Sequence, residues 1–188
     1  MTTEENTNGN IPLTDYSIKF NTVILSPSAT ITSLQVICFF DFQKNQHYSG
    51  GTAAVNEHFG GEIHEIRKSG IFKGLPLETL LLTPILKQIP ASQLLMVGMG
   101  DPEKLSLDLL EAVAYTVTTE AIKLGVTEFC FAPSLKDAGL TLSFGKTDVA
   151  TALQKGMTRA ANTASELFKK NLMKPVVLTD INLLRGKA

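Results

Sequence analysis

Gly145-Lys146-Thr147, set where a loop gives way to a helix, has the residue types of a phosphate-binding loop. Such a loop needs two glycines separated by four residues, because the chain must curl until successive N–H groups converge on the phosphates ahead of a helix N-terminus. Here five residues separate Gly139 from Gly145, and Leu140, Leu142 and Phe144 are bulky where small, flexible residues are required. The spacing argues against a nucleotide loop and for a connector that caps a helix, with Thr147 as the expected N-cap. Gly139, Ser143, Gly145, Lys146 and Thr147 are kept as the candidate anion-binding residues.

Other chemistry-bearing residues do not assemble into a motif. His58 and His64 are six apart and point to different helix faces, so they lack the i, i+4 geometry of a helical zinc pair, and His47 stands alone. Glu62 and Glu65 flank His64 without forming H-E-x-x-H; these histidines read as solvated surface. Gly98-Met99-Gly100 follows an apolar run, yet the third glycine and the acidic residue of a dinucleotide fingerprint are missing. Glu62, Glu65, Glu111, Glu120 and Glu166 are scattered along expected helix faces, as a solvated surface requires. The residues by themselves identify no catalytic group, no metal ligand and no cofactor.

The elements that would position any site follow from composition and periodicity. With 188 residues, 44% hydrophobic and 19% charged, the chain can bury one sizeable core. A net charge of −1 without a basic stripe disfavours nucleic acid, and Arg67-Lys68 and Lys169-Lys170 read as solvated helix ends. Cys38 and Cys130 lie inside "LQVICFF" and "TEFCFAP", where they are expected to pack as small hydrophobes of neighbouring central strands; no C-x-x-C or Cys/His cluster suggests a metal, and the lack of a disulfide framework points to a reducing compartment. "MTTEENTNGN" lacks the basic and apolar regions of a signal peptide and no apolar run is long enough to span a membrane, so a cytoplasmic protein is expected.

Residues 1–13 are polar and are expected to be a disordered tail, with residues 14–188 forming one domain. Strands are expected at Tyr16–Leu25 and Leu34–Phe40, separated by the Pro27 turn, then a helix with Val55, Phe59, Ile63 and Ile66 on one face and a weak point at Gly60-Gly61. "ETLLLTPI" and "SQLLMVGMG" read as buried strands. A helix follows to Leu124, capped by Ser106 and ended by Gly125, then the strand "TEFCFAP". A helix from about Asp148 to Phe168 turns Val149, Leu153, Met157, Ala160, Ala164 and Leu167 inward, and "KPVVLTDI" is the last strand. Strands alternating with helices imply an α/β sandwich on a largely parallel sheet.

Four of these segments, in register, resemble a known family. "SGIFKGLPLETLLLT" is similar to the G-x-F-x-G-K-x-G-E-x-x-L-L stretch in the N-terminal domain of the M17 leucyl (cytosol) aminopeptidases. "QLLMVGMGDPEKLSLDLLEAVAYTV" resembles that family's V-G-L-G-K strand, loop and long helix. "VTEFCFAP" and "DVATALQKGMTRAA" resemble the next strand and a glycine-containing helix, so that the similarity spans roughly residues 33–183. Gly74-Leu75-Pro76-Leu77-Glu78 departs from the pattern by losing its lysine and second glycine.

The resemblance implies a three-layer α/β/α, macro-domain-like sandwich with a mixed, largely parallel sheet. It implies no catalytic or metal-binding residue, because the family's two-metal catalytic sequence N-T-D-A-E-G-R-L has no counterpart in these 188 residues. The expected role is a binding or assembly module with a protein partner or self-association. An ADP-ribose or nucleotide ligand at the Gly139–Thr147 loop, and a place in a split aminopeptidase, are the alternatives.

Overall fold

The computed structural model describes residues 18–85, 88–133, 135–141, 143–169 and 180–184. The expected tail at 1–13 and most of "KPVVLTDI" lie outside the described residues. Six strands form one sheet: β1 (Phe20–Val23), β2 (Leu34–Phe40), β3 (Thr79–Leu82), β4 (Gln93–Gly100), β5 (Glu128–Phe131) and β6 (Asp180–Leu184). Their order is β1-β6-β5-β2-β4-β3. Every pairing is parallel except that of the edge strand β3 with β4.

β2 and β4 are buried on both faces, which is why they read as unbroken apolar runs rather than alternating ones. Leu34, Val36, Cys38 and Phe40 pack with Leu95, Val97 and Met99 under α3 (Leu107–Leu124) and α4 (Lys146–Lys169). Ile37, Phe39, Leu94 and Met96 face Val55 of α1 (Gly50–His58) and Ile63 of α2 (Glu62–Lys68) on the other side. The result is the expected α/β/α sandwich. Cys38 and Cys130 are both buried, on the adjacent strands β2 and β5.

Several expectations need correction. The helix through residues 50–68 is two helices, because Gly60 and Gly61 both take left-handed backbone (φ 63° and 88°) and turn the chain. β3 is not a buried strand: at the sheet edge its residues alternate exposed and half-buried. α4 begins at Lys146, two residues before Asp148, and Leu167 is 39% exposed instead of facing inward. Glu111 is no solvated acid, since Lys155 and Arg159 of α4 hold its carboxylate at 2.8 and 3.5 Å across the α3–α4 seam.

Candidate functional site

The chain leaves β2 toward β3 and β4 on one side and leaves β5 toward β6 on the other, so the crossovers diverge from the adjacent carboxyl ends of β2 and β5. In open parallel sheets a crevice at such a switch point is where ligands bind. Two loops overhang it: residues 41–49 after β2, and, after β5, the described residues 132–133, 135–141 and 143–145, which belong to the loop selected from sequence.

The five candidate residues do not form an anion cradle. Gly139 has a left-handed backbone (φ 77°) in a turn where its N–H donates to the Lys136 carbonyl, with its open face toward the His47 ring. Ser143, Gly145, Lys146 and Thr147 are exposed. Gly145 N–H is taken by Asp148 Oδ2 at 2.9 Å, the reciprocal half of a capping box. The helix cap is therefore Gly145 with Asp148, and Thr147 lies inside the first turn of α4. Among the described residues no hydrogen bond joins Gly139 to the Gly145–Thr147 group.

What occupies the crevice is Asp137, a residue the sequence reading passed over. Its Oδ2 accepts from Gly51 N–H at 3.0 Å, at the N-terminus of α1, and its carbonyl accepts from Ser49 N–H (2.8 Å) and Ser49 Oγ (3.2 Å). Asn45 Nδ2 donates to the Ala138 carbonyl at 2.9 Å beside it. Gly50 makes this approach possible, since a Cβ there would run into the Asp137 carboxylate. The helix end that attracts anions thus already holds one, and the two loops are stitched together.

Beneath the 41–49 loop lies Arg67, only 2% exposed and not the solvated helix end expected. Its Nη2 donates to the carbonyls of Phe40 (3.0 Å) and Asn45 (3.3 Å). Its guanidinium lies 4.3, 5.1 and 5.5 Å from the ring centres of Phe39, Phe42 and Tyr48. Burial lowers its pKa to about 10, against the opposing pull of Tyr48 and Asp41, so it remains a cation at neutral pH. Burial likewise pushes the Tyr48 phenol up, and Tyr48 Oη lies 3.3 Å from His64 Nδ1, making His64 half-buried rather than solvated. One signal could have found Arg67: it follows Ile63 by four residues, on the inward face of the helix that Gly61 restarts.

Gly98 and Gly100 also have a packing role. They floor the turn Leu75-Pro76-Leu77-Glu78, and a Cβ on Gly98 would collide with the Leu75 carbonyl. Glu78 braces that turn by accepting from Lys73 N–H and Leu75 N–H. Among the described residues no three His, Cys, Asp or Glu side chains group in a way that could hold a metal ion, and no helix is long and apolar enough to cross a membrane.

The sandwich and its crevice define a macro-domain-like protein, and the comparisons extend this. A mutant macrodomain from Oceanobacillus iheyensis superposes with a TM-score of 0.56 at 15% identity, covering 88% of this chain and 84% of that one. The Trypanosoma brucei macrodomain in complex with ADP-ribose does so with 0.59 at 13%, covering 88% and 64%. A mutant of tomato leucine aminopeptidase gives 0.67 at 12%, covering 93% of this chain and 34% of that chain, so the present chain spans about a third of the tomato enzyme. No curated protein matches the sequence. The model of the cytosol aminopeptidase family, N-terminal domain, matches residues 36–167, and the chain belongs to that family.

Proposed function

We propose that the chain is a non-catalytic module of the aminopeptidase N-terminal type that works by docking to protein and not by binding a nucleotide. The observation that carries this reading is Asp137: a phosphate entering the crevice would meet a carboxylate already seated on Gly51 N–H and would have to break the Ser49 and Asn45 bonds around it. The exposed, non-converging Lys146 and Thr147 give such a phosphate no second anchor. The burial of Cys38 and Cys130 inside the sheet fits a reducing, cytoplasmic setting.

Thermal denaturation with ADP-ribose and with ADP tests the reading. A ligand present at 100 times its dissociation constant adds about 2.7 kcal/mol of stability. We expect no shift with either compound; a saturable shift that isothermal titration reproduces would overturn the docking reading in favour of a nucleotide reader. The second reading, a subunit completed by a separate catalytic chain, draws on the likeness to tomato leucine aminopeptidase. It predicts that a catalytic chain co-purifies from native extract.

A further inference from the structure

The segment 71–85 concentrates exposed apolar side chains: Ile71 (66% exposed), Leu75 (44%), Leu77 (39%), Leu81 (37%) and Ile85 (63%). Leu77 is the only non-glycine residue at positive φ (64°) among the described residues, and it stands where the family pattern has its second glycine. Left-handed backbone costs an L-residue about 1–2 kcal/mol, and Leu77 still leaves 39% of its surface in solvent instead of burying it in the core. An exposed side chain held at a strained position suggests a contact made elsewhere.

β3 offers the backbone for that contact. It pairs with β4 on one side and, among the described residues, is the end of the sheet on the other. Glu78 O accepts from Gly98 N–H, so the alternation of an antiparallel ladder turns the N–H and C=O of residues 80 and 82 toward β4 and those of Thr79, Leu81 and Thr83 outward. The exposed residues of the edge are Leu77, Thr79, Leu81, Thr83 and Ile85. Read outward from Leu81, they give threonine and then a large aliphatic residue in both directions. This near-palindrome is self-complementary: two copies running antiparallel about Leu81 set Leu81 against Leu81, Thr79 against Thr83 and Leu77 against Ile85. None of the five is charged, so the apposition incurs no like-charge repulsion, and a strongly charged partner would find nothing to pair with.

We infer that a second copy of this chain docks here, the two β3 strands pairing across a two-fold axis centred on Leu81 to extend the sheet through both molecules. The inference rests on the docking reading above and names its partner. Sedimentation velocity of the full chain, from micromolar to millimolar concentration, should show a dimer that Leu81→Lys converts to monomer at an unchanged circular-dichroism spectrum. Should Leu81→Lys unfold, Leu81→Cys gives the answer: mild oxidation should link two chains through a disulfide that dithiothreitol reverses, while Ile24→Cys at the opposite end of the sheet and the wild type, with both thiols buried, should not link. A wild type that stays monomeric at every concentration, or a dimer that neither disperses with Leu81→Lys nor cross-links at position 81, overturns the self-pairing. Such a failure leaves nucleotide binding untouched; only a response to ADP-ribose would overturn the docking reading.

Discussion

Residue identity counts here through backbone accounting more than through reactive groups. The lysine, glycine and threonine that suggested phosphate chemistry sit at the start of α4, where the first N–H groups of any helix need acceptors. Asp148 supplies one by reaching back to Gly145, and the exposed Thr147 hydroxyl makes no hydrogen bond among the described residues. Thr147→Ala should therefore leave stability unchanged within a few tenths of a kcal/mol, whereas Asp148→Ala should cost about 1 kcal/mol through the lost cap and the lost negative charge in the first turn. Urea denaturation of both variants checks this, and a larger loss for Thr147→Ala would return the cap to the position expected from sequence. Arg67 follows the same logic at greater depth. Among the described residues no carboxylate lies within ion-pair distance of this buried cation; two carbonyls take up Nη2, while Nε and Nη1 find no hydrogen-bond partner there and the guanidinium is held against three aromatic faces.

Among the elements, the α3–α4 seam is the most extensive contact of the sandwich. Gly156 of α4 is buried there, and a Cβ on it would drive into the Glu111 carbonyl and the Ala114 methyl of α3. Gly156→Ala gains helix propensity but must push the helices apart, and overpacking of this kind costs about 1–3 kcal/mol. We expect a net loss by urea denaturation, partly restored by Ala114→Gly in the double variant; a stabilised Gly156→Ala would show that the seam has slack. The sequence made these elements legible wherever one physical signal dominated: unbroken apolar runs for β2 and β4, the Ser106 cap and Gly125 stop for α3, and the 3.6-residue stripe of α4 as far as Ala164. It was ambiguous where two signals competed. Val55, Phe59, Ile63 and Ile66 fit a single helix only if Gly60-Gly61 merely weakens it, and the left-handed pair instead resets the rotation and carries Arg67 into the core. The apolar run of β3 resembles that of a central strand, because an edge that presents leucine to solvent cannot be told from a buried one by composition alone. Asp137 was illegible for a different reason: its partners Ser49 and Gly51 lie some ninety positions away, and only the parallel pairing of β2 with β5 brings their loops together.

At the scale of the whole molecule, the thiols report on whether the two faces of the sheet melt together. Cys38 belongs to the core under α3 and α4, whereas Cys130 on β5 pairs with Gln35, three residues along β2, and points to the opposite face of the sheet, fully buried. Local opening of either loop over the crevice uncovers neither sulfur, so both should react with Ellman's reagent only through global unfolding, at one common rate and with the denaturant dependence of the full transition. Burial also pushes the Cys38 thiol well above its ordinary value of 9.0. A group whose folded pKa is raised contributes stability that is fully present below its unfolded pKa and is lost as pH climbs through it. Stability should thus be insensitive to this thiol at neutral pH and fall above about pH 9, and Cys38→Ala, although less stable throughout, should show a shallower alkaline decline. Separate fast and slow thiols under native conditions would mean that the β5 side of the sheet opens independently of β2 and that the two strands do not melt in one transition.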